Sequence, residues 1–520
     1  MSDDAVTVVS DPPGSESDRE PPPPREQPLV IRTLRGVWLW PSLFMAGIAL
    51  WRIRYAEMWQ DELVTISVIS RSTRQILSLL AHVDAVHGTY YLFMHYWVQV
   101  FGDGPLAVRL PSVLAMVGAV ACVALIGQRL FGPIAGMAGG FVLAIVPSVT
   151  RFAQEARSYA LVVLLVSLAT LLLLRALGRT TVTGWVGYGV CLALIGCLNP
   201  VALSVVAGHL IGILATTGRG ARLRTVGKFS LAAVLGVLVA GPVIYQGTQQ
   251  ATRQINWINL EAREVWVVWP RTFASAWVAW AVTVLLVVAL IAYRRRAAFA
   301  AAAALVPLLV IWLVSLGDLN YFFSKYLLFV VPLWAVLAGA GLAAVPWNSP
   351  ALRAAVPAVG LLVLTAMAIP GQKAMRGALS HSYYTYPDPR VSEPYAYREA
   401  ASIIAKKYQP GDAIGFPLLP KVWWFMHDKG VFYYLPQNVL PHAIFLEKSA
   451  AQNDELYATE CPVPEECFGN EQRIWVVIPY HTGNAVGQFP DEQRKLLVPG
   501  YTQVYAEFPP GLTVALLQRQ

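Results

Sequence analysis

Charge is scarce in this 520-residue sequence: Asp, Glu, Lys and Arg make up 13% of it, about half the ~25% of a soluble globular protein. With a hydrophobic share of 56% and a mean hydropathy of +0.51, that scarcity excludes a soluble enzyme and a disordered chain. Other signals are missing as well. There is no metal-ligand spacing of Cys, His and acids, no phosphate-binding Gly loop and no usable internal repeat. Residues 1–30 carry seven Asp/Glu against two Arg and a Pro21–Pro24 run, so they read as a disordered cytoplasmic tail and not as a signal peptide. The net charge of +8 raises the question of nucleic acid. Its distribution answers it: residues 1–371 hold 26 Lys/Arg against 16 Asp/Glu, and 372–520 hold 13 against 15. The basic residues punctuate apolar runs, as in a membrane protein.

What is present is a series of apolar runs of membrane length. The first, about 36–53, reads as an uncleaved anchor. Others lie near 106–127, 131–149, 157–176, 182–199, 200–218, 228–247, 272–293, 297–317, 325–345 and 352–371. That predicts an α-helical polytopic membrane protein of about eleven spans, in a domain covering 31–371. The stretch Tyr90 to Phe101 is short and carries His95 and Gln99, and the positive-inside tendency places it in the interface. With a cytoplasmic N-terminus and no crossing there, Arg129, Arg175, Arg179, Arg219, Arg222, Arg224, Lys228, Arg294 to Arg296 and Arg353 fall on the cytoplasmic side. All nine acids between 31 and 371 fall on the other. The same arrangement puts 372–520 outside the cell. That tail predicts a small α/β domain: an amphipathic helix over 399–408, a strand over 473–478 and a hairpin over 501–517 around Pro509-Pro510-Gly511. Cys461 and Cys467 lie in it and can close a short disulfide loop there, whereas Cys122, Cys191 and Cys197 lie in spans.

The outer loops concentrate the chemistry. Trp59-Gln-Asp61-Glu62 follows the first span; adjacent carboxylates suit general-base work, and equally suit a helix N-terminus. Asp84-Ala-Val-His87-Gly-Thr-Tyr90-Tyr91 can line a sugar site. Arg151-Phe-Ala-Gln154-Glu155-Ala-Arg157-Ser-Tyr159 puts two arginines on a side where positive charge is disfavoured, which asks for an anionic partner. Arg109, Arg253 with Trp257, and Lys325 with Tyr326 repeat that pattern. Several cations from separate loops on one face point to a phosphate-bearing substrate.

In order, these motifs, with Phe101-Gly-x-x-Pro-Leu-Ala-x-Arg109 and Lys325-Tyr-Leu-Leu-x-x-x-x-Pro332, resemble the GT-C superfamily of polytopic glycosyltransferases. The nearer likeness is to the bacterial branch related to protein mannosyltransferases and lipid A aminoarabinose transferases, in its actinobacterial form. The sequence departs from that pattern at His87-Gly88 and at Lys325-Tyr326, where a His-Pro-Pro and an Arg-Tyr are usual. The resemblance implies inverting transfer of a sugar, with mannose the first choice, from a polyprenyl-phosphate donor to a cell-envelope glycan, glycolipid or protein on the extracytoplasmic face of the plasma membrane. By that resemblance Asp61 is the general base, with Glu62 beside it. Arg157, Arg253, Lys325 and Arg109 hold the donor phosphate, and Asp84, His87, Tyr90, Gln154, Tyr159, Trp257 and Tyr326 contact sugar or acceptor. A divalent metal is compatible with two or three carboxylates, but no spacing requires one. Two rival readings are a secondary transporter and a binding or ligase protein for lipid-linked glycans. The span interiors carry no Asp, Glu, Lys or Arg away from their ends, unlike a transporter with a midplane site. Trp423-Trp424, Tyr433-Tyr434 and Tyr383-Tyr384 are candidates for glycan stacking or for docking the tail.

Overall fold

Apolar runs that must satisfy their backbone internally become helices, and helices make up most of the computed structural model of the protein, which describes residues 36–178, 181–256, 258, 264–344, 349–380, 394–417 and 426–520. The 1–30 segment, Trp257, Tyr383-Tyr384 and Trp423-Trp424 lie outside the described residues. Among the described residues, five helices are long and apolar enough to cross a membrane: Pro105–Phe131, Tyr159–Gly178, Arg219–Ile255, Ala276–Arg296 and Ala351–Ala374. Shorter apolar helices span Leu39–Leu50, Val182–Leu198, Pro200–Thr216, Ala298–Val314 and Leu328–Leu342. A further pair, Pro133–Ile145 and Pro147–Ala153, is bent by 68°. The bend follows from Pro147, whose ring disfavours the helical conformation in the residue before it; Val146 is extended, at φ −58° and ψ 121°. That corner brings Arg151 and the segment after it to one end of the bundle.

Close packing of the helices depends on small residues. A Cβ on Gly339 would sit 2.3 Å from the backbone nitrogen of Gly139, so the two helices approach at a distance only glycine permits. In contrast, Leu231, Leu235 and Leu238 on Arg219–Ile255 are exposed, an apolar face of the kind a bilayer covers. The stretch expected to lie in the interface forms a separate helix, Gly88–Phe101, of 14 residues. At 1.5 Å per residue it is about 21 Å long, short of the ~30 Å hydrocarbon thickness.

The C-terminal region has a five-stranded mixed sheet in the order β2-β1-β5-β7-β6, with β1 Ala413–Gly415, β2 His442–Ala443, β5 Arg473–Pro479, β6 Tyr501–Glu507 and β7 Leu512–Arg519. Strands β3 (Leu446–Lys448) and β4 (Thr459–Glu460) pair antiparallel beside it. The expected strand and hairpin form, with Gly511 in the turn at φ 70°. The expected helix covers Tyr397–Lys407, with Glu399 in its first turn and Lys406 and Lys407 in its last, each complementing the helix dipole. Its apolar stripe, Tyr397, Ala400, Ile403 and Ile404, is buried. Cys461 and Cys467 are joined in a disulfide just after β4.

Candidate functional site

Helix Gln60–Ile69 begins where Trp59 is extended, and carries Asp61 and Glu62 in its first turn. Successive residues on a helix project about 100° apart, so the two carboxylates face different surroundings. Glu62 turns inward. Its Oε1 accepts from Arg109 Nε at 2.9 Å and from the Ala156 N–H at 2.9 Å, and its Oε2 accepts from Arg109 Nη2 at 2.8 Å. Both side chains are fully buried, and Arg109 Nη1 also donates to the carbonyls of Ile53 and Ala56, at 2.7 and 3.0 Å. This corrects two expectations. Arg109 spends its guanidinium inside the protein and has none left for a phosphate, and Glu62, expected beside the base in the catalytic pair, is its counter-ion.

Asp61 faces the other way, into a cluster drawn from five parts of the chain. Lys325 Nζ lies 2.8 Å from Asp61 Oδ2, and Arg157 Nε lies 3.8 Å from the same oxygen. Arg157 is the hub. It donates through Nη2 to His87 Nε2 at 2.9 Å, and through Nη1 to the Tyr91 hydroxyl at 3.2 Å and to Thr65 Oγ1 at 3.5 Å. The Tyr91 hydroxyl in turn donates to Asp84 Oδ2 at 2.7 Å, and Gln254 Nε2 donates to Asp84 Oδ1 at 2.9 Å. Asp84 itself sits in a left-handed conformation, φ 59°, ahead of the turn Ala85–His87 that opens helix Gly88–Phe101. The aromatic walls are Trp59, Tyr159 and Tyr326, whose ring centroids lie 5.4, 6.0 and 6.0 Å from Lys325 Nζ.

Burial and charge set opposite protonation tendencies here. Burial by itself would raise the Asp61 carboxyl, but Lys325 and Arg157 outweigh it and hold the group at about 2. Burial raises Asp84, with Arg157 only partly opposing it. Burial, then the charge of Arg157, pushes His87 well below its usual value. The ring is therefore neutral, with Nε2 as acceptor and the proton on Nδ1.

Several expected contacts fall elsewhere. Gln154 Nε2 donates to the carbonyls of Ala49 and Trp51, at 2.7 and 2.8 Å; this corrects its sugar-binding assignment, because both donors of its amide strap the end of the first helix. Tyr90 is buried, and its hydroxyl makes no hydrogen bond among the described residues; its neighbour Tyr91 reaches the cluster instead. Arg253 is 61% exposed and pairs with Glu455 at 3.1 Å. Arg151 pairs with Glu155. Among the described residues, no three of His, Cys, Asp and Glu come together as a metal-holding group.

The C-terminal region closes over this end of the bundle. Arg398 N–H donates to Glu57 Oε2 at 3.0 Å, Met58 N–H to the Tyr434 hydroxyl at 2.8 Å, and Arg71 Nη2 to the Glu455 carbonyl at 2.8 Å. Tyr457 lies close enough to feel the charges of Asp84 and Asp61. Sequence reasoning missed Thr65, Gln254 and Tyr457 as site residues, and of the Tyr90-Tyr91 pair it gave the contact to Tyr90. Tyr91 was visible as half of a Tyr pair and Gln254 as the neighbour of Arg253, but nothing in the sequence marks Tyr457.

Two comparisons bear on this arrangement. The family described as dolichyl-phosphate-mannose-protein mannosyltransferase matches residues 89–245. The fold is similar to that of ArnT from Cupriavidus metallidurans bound to undecaprenyl phosphate, with a TM-score of 0.60 at 13% identity, covering 94% of this chain and 98% of that one. The chain has the GT-C fold. ArnT in the apo state gives a TM-score of 0.55 at 13% identity over 92% and 97% of the two chains. The GT-C fold also aligns with the Archaeoglobus fulgidus oligosaccharyltransferase in complex with Zn and sulfate, at a TM-score of 0.51 and 12% identity, over 91% of this chain and 72% of that one. No curated protein matches the sequence.

Proposed function

We propose that this protein is a multi-pass membrane glycosyltransferase that moves a sugar from a polyprenyl-phosphate donor to an acceptor on the extracytoplasmic face, with inversion. The observation that carries this reading is one carboxylate, Asp61, flanked by two buried cations, Lys325 and Arg157, at the end of the bundle roofed by the C-terminal region. A base and a phosphate-binding pair then lie within one side chain of each other. The match to a family named for dolichyl-phosphate-mannose and the likeness to an enzyme bound to undecaprenyl phosphate support a lipid-phosphate donor, and the first supports mannose. The reading includes eleven crossings, a membrane domain over 31–371 and an extracytoplasmic domain over 372–520.

In this reaction Asp61 takes the proton of the acceptor hydroxyl. The oxygen attacks the anomeric carbon from the side opposite the phosphate. The carbon–oxygen bond to the phosphate breaks, its electron pair leaves with the phosphate, and Lys325 and Arg157 balance the charge that develops. Asp84, His87, Tyr159 and Tyr326 border the space for the sugar and acceptor. The test is transfer of radiolabelled mannose from polyprenyl-phosphate mannose to envelope glycan or glycolipid acceptors by purified protein. Asp61→Asn should reduce transfer by a factor on the order of 10³ or more; retained transfer in that variant would remove Asp61 from the base role.

A further inference from the structure

Lys325 and Arg157, assigned above to the donor phosphate, are engaged by a carboxylate of the same charge sign. Lys325 Nζ is 2.8 Å from Asp61 Oδ2. Three of the other four N–H groups of Arg157 are committed to His87, Tyr91 and Thr65, and its Nε edge is turned to Asp61. Arg157 is 6% exposed, and its Nε is buried without a hydrogen bond, since 3.8 Å to Asp61 is too long for one. A buried, unsatisfied cationic donor is costly, and it points at the oxygen that Lys325 also holds.

We propose that Asp61 and the donor's phosphate compete for Lys325 and Arg157, so that the phosphate displaces the carboxylate and donor binding is the step that releases Asp61 to act as base. The inference rests on the donor reading above and adds the order of events: donor first, acceptor second. A carboxylate clamped between two cations binds a proton weakly, and its affinity for the proton rises when those cations turn to another anion. The cycle balances. The acceptor hydroxyl gives its proton to Asp61 and its oxygen to the anomeric carbon, and the phosphate departs with the electron pair of the broken bond. When the lipid phosphate leaves, Lys325 returns to Asp61 and drives the proton out. Because a phosphate monoester carries more charge than the diester it came from, the product lipid holds the two cations harder than the donor does. Undecaprenyl phosphate should therefore be a strong product inhibitor.

The test measures undecaprenyl phosphate binding to purified full-length protein, with inorganic phosphate in a parallel arm to separate lipid-borne from free phosphate. Asp61→Asn removes the competitor and should bind the lipid phosphate roughly tenfold tighter or more, Asp61→Glu should bind like the wild type, and Lys325→Gln should bind more weakly. If wild type and Asp61→Asn bind equally well, the competition proposal fails while the donor reading stands. If the wild type binds neither lipid phosphate nor inorganic phosphate, both fail. Should Asp61→Asn not fold, difference infrared spectra of the wild type still decide: adding undecaprenyl phosphate should shift an Asp carboxylate band, and an unchanged carboxylate region would overturn the proposal.

Discussion

Glu62→Gln separates structural from catalytic roles in the acidic pair. The substitution removes one negative charge from a fully buried ion pair and leaves the Arg109 guanidinium without a counter-ion at 0% exposure. Breaking such a pair costs about 3–5 kcal/mol. The amide oxygen of Gln still accepts one hydrogen bond, from Ala156 N–H or from Arg109, so the lower end of about 3 kcal/mol is expected. Arg109→Lys should cost a similar amount by a different route. It keeps a charge but loses the fork that holds Glu62 and the carbonyls of Ile53 and Ala56. The assay is thermal unfolding in detergent followed by tryptophan fluorescence, with lipid-phosphate binding measured on the protein that remains folded. Both variants should unfold several degrees lower, and the folded fraction of each should bind undecaprenyl phosphate with near wild-type affinity. Glu62→Gln with an unchanged unfolding midpoint and abolished transfer would refute the reasoning and return Glu62 to the catalytic pair. Selectively lost lipid-phosphate binding in a stable Arg109→Lys would do the same for Arg109.

Two further outcomes follow from the same geometry. His87 has a folded-state pKa depressed by burial and by Arg157, so below its unfolded value of about 6.5 the unfolded chain takes up a proton that the folded ring does not. Its contribution to stability is fully present above that pH and is lost as pH falls towards the folded-state value. Unfolding midpoints at about pH 7.5 and 5.5 should thus drop less in His87→Gln, which keeps an acceptor for Arg157 but does not titrate; equal drops would show that the ring protonates freely. Tyr434→Phe strands the Met58 N–H that its hydroxyl receives at 2.8 Å, a loss of about 1–3 kcal/mol. Limited proteolysis should then release the C-terminal region sooner, and unchanged protection would mean that the Glu57 and Arg71 contacts alone hold it in place.

Several features were legible in the sequence because they depend on local composition. Length and apolarity mark the helices, the Pro509-Pro510-Gly511 turn marks the terminal hairpin, and a short polar-tipped run marks the helix Gly88–Phe101. The segments carrying the chemistry were also legible, since Asp61, His87, Arg157 and Lys325 all fall between the apolar runs or at their ends. Pairing was not. Asp61 and Lys325 are 264 residues apart, and no periodicity connects them. Adjacent Asp61 and Glu62 are alike in sequence, yet the phase of one helical turn sends one to Lys325 and buries the other against Arg109.

The sequence by itself determined that this chain is a helical membrane protein whose polar groups gather between its apolar runs, because hydrophobic burial and backbone satisfaction depend on residue type and spacing alone. The tertiary structure decided which charges are free to meet a substrate. A cation at a helix end looks the same in sequence whether it faces a donor phosphate or, like Arg109, a buried carboxylate. Only the packing of helices brought from distant parts of the chain fixes the distances, and electrostatic energy depends on those distances.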